Sequence, residues 1–258
     1  MKLYLKFFAM HLKRTMAYRR SFIFSFIGQF LVSFTSFLAI AFLMDRFRSV
    51  QGYTFGECML CTGIITMTFS LAECFFRGFD RFPVLVKGGG FDRILLRPMR
   101  PMFLVLCENI EFARLGKLIQ GVIMLIIGIV LSPVSWTLAK VCVLLFMIAG
   151  GTAVFAGLFI VYAGACFFTL EGLEFLNILT YGAREYGAYP LDVYGQGLLR
   201  FCTFVIPYAL FQYYPLCWLL GHTENILYAL APLADFLFLI PCTLFWRYGI
   251  SRYTSSGG

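Results

Sequence analysis

Six stretches of the chain are apolar for long enough to cross a bilayer: residues 21–44, 57–76, 118–136, 141–168, 201–221 and 226–246. A helix rises 1.5 Å per residue, so about 20 residues cover about 30 Å of hydrocarbon. The run 21–44 has no charge in 24 positions, 57–76 is interrupted by Glu73 near its end, and 118–136 is flanked by Lys117 and closed by Trp136. These runs predict an all-α polytopic membrane protein with six transmembrane helices in one domain, 21–247. The region 201–247 contains Pro207, Pro215, Pro232 and Pro241, each of which removes a helical hydrogen bond. A broken helix, a short re-entrant pair dipping from outside and a final crossing therefore remain an alternative there. Both readings leave the same ends on the same sides.

Ahead of the first run, residues 1–20 have helical periodicity with a different character. Lys2, Lys6, Lys13 and Arg20 fall on one stripe, and Leu5, Phe8, Leu12 and Met16 line an apolar face. Such a segment lies flat at the headgroups with its cations against anionic lipid. Small residues also keep register: Gly121 and Gly128 are seven apart, as are Gly150, Gly157 and Gly164. Glycines on one face let two membrane helices approach closely, so these positions predict helix packing.

Composition excludes a water-soluble domain. Hydrophobic residues make up 60% of the chain and charged residues 13%, with a mean hydropathy of +0.83. The same figures exclude disorder. The net charge of +8, from 21 Lys+Arg against 13 Asp+Glu, would suit nucleic acid, but its placement argues against that partner. Fourteen of the 21 cations precede the first run or lie between Arg77 and Lys117. With six crossings, 18 fall on the side of both termini, and only Arg46, Arg48 and Lys140 on the other. That asymmetry predicts cytoplasmic termini, a cytoplasmic loop 77–117, a cytoplasmic loop 169–200 and a cytoplasmic tail 248–258. No cleaved signal peptide is expected, because the first run is too long and lacks a small-residue cleavage pattern. The nine cysteines lie mostly in apolar runs and read as small buried thiols; Cys58 and Cys61 form a lone CxxC without a neighbouring histidine.

Reaction chemistry is scarce. Gly88, Gly89 and Gly90 are followed by Phe-Asp, so they cannot form a P-loop, and the two histidines, His11 and His222, fall on opposite sides of the membrane. No hydrolase motif or metal motif is present. The informative stretch is 77–101, RGFDRFPVLVKGGGFDRILLRPMRP. The glycines break the chain, Asp92 and Arg97 complement the ends of a short helix, and Pro98 and Pro101 stop it. Phe91, Ile94 and Leu95 share one side of this helix, which predicts an apolar knob rimmed by charge and suited to docking another protein.

The GGFDRILLRP segment, the Tyr18-Arg19 pair, and the stretch TYGAREYGAYPLDVYG leading to FVIPYALFQYYPLCWLLG resemble the ABC-2-type permeases. In particular they resemble a bacterial branch of six-helix permeases often encoded in pairs. The resemblance runs from about Tyr4 to Trp246 and implies a type V-like exporter fold in which 1–20 is the elbow helix. It implies that Gly90, Phe91, Asp92, Arg93, Ile94, Leu95, Leu96, Arg97 and Pro98 form the coupling helix that fits a cleft on a separate ATP-binding subunit. This chain would bind no cofactor; ATP and Mg would be held by two copies of the partner ATPase. A second permease, a sister chain rather than a second copy of this one, would complete the unit in the bacterial cytoplasmic membrane, among its lipids and without nucleic acid.

Glu73 and Asp235 are ionisable groups within expected spans, where burial is costly. Glu73 lies one turn before Arg77, as a local ion pair would require. Asp235 is a candidate for a translocation path. Tyr208, Phe211, Tyr213 and Tyr214 surround Pro207 and Pro215, as a gate or as an interfacial belt. Tyr181, Tyr186, Tyr189 and Tyr194 read as anchors at the inner interface. Two other functions stay open: a membrane-embedded lipid-modifying enzyme, for which Glu171, Glu174, Glu185 and Asp192 are the inner-face set to consider, and a non-transporting sensor or scaffold partner of an ATPase.

Overall fold

The computed structural model describes residues 2–47, 49–169 and 175–254. The side chain of Lys2, together with Arg48, Glu171, Glu174 and the tail 255–258, lies outside the described residues. The fold is helical, and apart from one isolated bridge between Val50 and Tyr53 the described residues contain no β-pairing.

Five segments are long and apolar enough to cross a membrane. They are α2 (Arg19–Phe47), α3 (Phe55–Phe75), α8 (Leu115–Leu131) with the 3-10 turn Phe112–Arg114 before it, α9 (Leu138–Thr169) and α14 (Ile226–Ser251). Their ends follow from local chemistry. The Thr54 amide donates to Glu57 Oε2 at 2.7 Å, so the capping pair Thr54/Glu57 starts α3. Asn225 Oδ1 accepts from the Leu227 amide at 3.0 Å and starts α14. The segment α1 (Lys2–Ala17) precedes them and is separated from α2 by a turn at Tyr18. Arg20, expected on the same stripe as Lys6 and Lys13, therefore belongs to the first turn of α2.

The glycines pack helix on helix. A methyl group on Gly128 would lie 2.6 Å from the Leu60 nitrogen of α3, and one on Gly150 would lie 2.6 Å from the Pro232 carbonyl of α14. Gly157 and Gly164 face Phe238, Cys242 and Phe245 of α14 in the same manner. The seven-residue spacing thus sets the contact of α8 with α3 and of α9 with α14.

Residues 175–221 depart from expectation. The apolar run 201–221 is not one helix: α11 (Gln196–Phe204), α12 (Tyr208–Phe211) and α13 (Tyr213–Leu219) divide it. Pro207 and Pro215 supply no amide hydrogen, which explains the division. The segment just before it, read as a loop at the inner face, instead runs the length of the bundle. Tyr181 bonds Arg77 at one end, the Ala188 carbonyl accepts from Thr62 Oγ1 midway along α3 (3.0 Å), and Asp192 accepts from Tyr53 at the other end (2.8 Å). Only Tyr181 of the four expected inner anchors lies at the end that carries both termini. Tyr189 and Tyr194 line the opposite end beside Phe47 and Val50.

Chain irregularity in that segment is satisfied by side chains. A π-helical turn (Ile178–Gly182) leads into α10 (Ala183–Tyr186), and the helix then unwinds. Gln212, 1% exposed, donates from Nε2 to the carbonyls of Gly187 (2.5 Å) and Tyr189 (3.0 Å). Non-helical backbone at membrane depth is tolerated only with such partners.

Candidate functional site at the base of the bundle

Between α3 and α8 the chain forms four short helices: α4 (Arg77–Asp80), α5 (Phe82–Lys87), α6 (Gly90–Leu95) and α7 (Pro101–Glu108). Gly89, at φ +65°, makes the turn into α6, a conformation that favours glycine. Phe91 and Ile94 were expected on the exposed knob, but they point inward and are 0% and 3% exposed. Phe91 sits in an aromatic cluster with Phe82, Phe167 and Tyr253 at ring separations of 4.9, 5.4 and 5.1 Å, and Trp246 packs on Phe82 and Phe167. The Tyr253 hydroxyl donates to Asp92 Oδ1 at 3.1 Å. Sequence periodicity located this apolar side; burial in a tertiary cluster, which periodicity does not report, turned it inward. Gly90 is buried as well.

What faces outward is narrower. Leu96 is 87% exposed, Val84 74% and Leu95 41%, with Arg93, Arg97 and Pro98 exposed beside them. The knob is therefore the rim of α6 and the turn after it, fixed from behind to the ends of α9 and α14.

A second device ties this base to α3 and α8. Glu73, fully buried, faces Lys117 at 2.9 Å, Arg114 at 3.3 Å and Arg77 at 3.4 Å. Arg77 also reaches Asp80 (2.6 Å), Glu111 (3.0 Å) and the Tyr181 hydroxyl (2.6 Å). Burial works against the Arg77 charge, but Asp80, Tyr181, Glu73 and Glu111 outweigh it and hold its pKa above the ordinary value. Burial likewise pushes the Asp80 carboxyl up; Arg77 pulls it back and Glu73 adds to the rise. The expected Glu73–Arg77 pair is present, within a network whose other members are distant in sequence.

A family model described as ABC-2 family transporter protein matches residues 30–257. The chain belongs to the ABC-2 transporter family. No curated protein and no solved structure matches it. The chain is thus the multi-pass membrane subunit of an ABC transporter rather than a catalytic enzyme, and permeases of this family generally work with an ATP-binding subunit.

In this ABC-2 permease the expected gate residues separate. Tyr208 and Phe211 are 2% and 0% exposed, inside the fold rather than in an interfacial belt. Tyr208 donates to the Leu179 carbonyl, and Phe211 packs against Phe155 and Gly151. Tyr213 and Tyr214 are half-buried; Tyr214 stacks edge-on against Tyr228 at 5.0 Å and lies 3.1 Å from Thr203 Oγ1. Asp235 is 0% exposed, pressed between α14 and Gly150 of α9, and neither carboxylate oxygen has a hydrogen-bond partner among the described residues. Of the candidate acids of an enzyme, the two among the described residues are apart in role: Glu185 is exposed beside Arg184, and Asp192 is engaged by Tyr53.

At the amino terminus, Phe8 packs edge-on against Phe112 (5.0 Å), and His11 Nε2 meets the Cys107 carbonyl at 2.9 Å. Leu5 and Leu12 remain exposed, as do Lys6 and Lys13. Gln212, Thr62 and Glu111 were not singled out from sequence. A glutamine inside the apolar run 201–221 was the available signal for the first.

Proposed function

We propose that this permease is the membrane half of an ATP-driven exporter in a bacterial cytoplasmic membrane, moving an amphiphilic or hydrophobic substrate. The observation that carries the reading is the two-sided α6. Its inner side is locked by Phe91 and Asp92 to α9 and α14, and its outer rim offers Leu95, Leu96, Arg93 and Arg97 to a partner. Force applied at Leu96 reaches two long helices directly, as a coupling helix requires.

In this reading 175–194 makes the fifth of six crossings, 196–219 forms a re-entrant pair, and α1 is the elbow. Charge placement supports a cytoplasmic base. Six cations precede Ser21, eight lie from Arg77 to Lys117, and Arg247 and Arg252 end α14, so 16 of 21 share that side. ATP and Mg reside on two ATPase subunits, and a sister permease completes the complex. ATP drives the change of state because the closed ATPase pair fits one arrangement of the permeases better than the other. Aromatic side chains around an almost uncharged interior suit an amphiphile.

The test is purification from native membranes. An ATP-binding subunit should co-elute, its hydrolysis should rise with the transported amphiphile, and Leu96→Asp should abolish that rise while leaving the permease folded. A bound ATPase with no amphiphile moved in proteoliposomes would favour the sensor or scaffold reading instead.

A further inference from the structure

The junction of α1 and α2 carries a second site. A cavity of about 270 Å³ opens between the last turns of α1, the first turns of α2 and the segment 109–113. Arg14, Tyr18, Ser21, Ser25 and Asn109 line it, with Phe22 and Phe112 as apolar walls. A second cavity of about 320 Å³ shares Arg14, Arg81 and Asn109 with it and adds Arg93 and Glu108.

Charge in these cavities is incompletely balanced. Glu111 already faces Arg77 at 3.0 Å and Arg114 at 3.4 Å, and Arg81 reaches it only at 3.6 Å. Arg14 and Arg93 have no carboxylate within ion-pair distance among the described residues. Two free guanidinium groups and a third weakly engaged one, beside serine hydroxyls and an amide, are donors awaiting an anion with several acceptor oxygens, and a phosphate diester supplies these.

We propose that the junction binds the phosphate headgroup of an anionic phospholipid, held by Arg14 and Arg81 with its acyl chains along α2. The chains decide between a lipid and free phosphate. Directly beyond the cavity α2 presents Ile23, Phe24, Ile27 and Leu31, exposed by 52, 76, 47 and 55%, as an apolar track starting where a headgroup would end. The bound lipid touches both the amino-terminal helix and, through Arg81, the segment that carries α6. Membrane composition thereby acts on the base of the permease. The assignment does not depend on an ATPase being docked.

The experiment extracts the full chain from nanodiscs containing phosphatidylglycerol and phosphatidylcholine in equal amounts and counts retained lipids by native mass spectrometry. Wild type should keep phosphatidylglycerol in preference to phosphatidylcholine. Arg14→Gln/Arg81→Gln should lower that preference by about tenfold or more, the scale of charge-assisted hydrogen bonds. Ser25→Trp, which fills the cavity and leaves every charge in place, should lower it as well. Arg46→Gln/Arg100→Gln, which removes the same number of charges from exposed positions outside the cavity, should not. Equal retention of the two lipids by wild type, or equal loss in the Arg46/Arg100 variant, overturns the site. Displacement of the lipid by inorganic phosphate as effective as by short-chain phosphatidylglycerol overturns the lipid assignment in favour of a free-anion site.

Discussion

Replacing Glu73 by Gln should weaken the base of the bundle more than any other single loss of charge. Glu73 is the one carboxylate within 4 Å of Lys117 among the described residues, and the two side chains are 0% and 6% exposed. Arg77 and Arg114 keep Asp80 and Glu111 when Glu73 is neutralised, so the uncompensated charge falls on Lys117, which also sits 5.6 Å from the centre of the Phe69 ring. Removing one partner of a buried pair costs about 3–5 kcal/mol, because the remaining ion stays desolvated. Unfolding of a detergent-solubilised permease is commonly irreversible, so the quantity to measure is the inactivation half-life at fixed temperature, with denaturant resistance beside it. Glu73→Gln should shorten the half-life by about tenfold or more, since ~1.4 kcal/mol already gives a factor of ten where the loss reaches the unfolding barrier. Glu73→Gln/Lys117→Met, which removes both charges, should return most of it, as apolar replacements of buried pairs generally do. A single variant as long-lived as wild type, or a double variant no better than the single, would refute the reasoning.

Other consequences follow from the same packing and polar contacts. Gln212→Leu strips donors from the Gly187 and Tyr189 carbonyls, so thermal stability should fall by about 1–3 kcal/mol and amide exchange near 187–190 should rise; unchanged exchange would contradict the role of Gln212. Gly157→Leu should separate α9 from α14, because even a methyl there would lie 3.0 Å from Phe238 and 3.1 Å from Cys242; a cost of about 1–3 kcal/mol is expected, against none for Gly197→Ala, where the space is open. Asp235→Val replaces a buried carboxyl that has no hydrogen-bond partner among the described residues with an apolar group of similar size, so the melting temperature should rise, and a fall would show that the carboxyl is engaged.

Hydropathy and small-residue spacing made much of this fold readable. The runs 21–44, 57–76, 141–168 and 226–246 coincide closely with α2, α3, α9 and α14, and the glycine sevens mark the contacts those helices make. Hydropathy failed where the chain crosses the bundle with polar residues inside it. Arg184, Glu185 and Pro190 break the apolar run at 175–194, and the compensation comes from afar: Ser36 accepts from Arg184 at 3.0 Å, and Thr62, Gln212 and Tyr53 serve the segment farther along. Window averages cannot see such partners. The reverse error occurred at 201–221, apolar enough for a span but divided at its prolines and folded back into the protein. At the base, the period of α6 was legible, but which side would be buried depended on Phe82, Phe167, Trp246 and Tyr253, three of them far away in sequence.

The central claim is that the outward rim of α6 receives force from an ATP-binding subunit. The most direct measurement places a photo-crosslinking amino acid at Leu96 and, separately, at Leu138, which is 82% exposed at the other end of the bundle. Illumination in native membranes should join position 96, and not position 138, to an ATP-binding subunit, with a yield that changes when ATP is added. Adducts at 138 but not at 96, or a position 96 reachable by impermeant reagents from outside intact cells, would contradict the account.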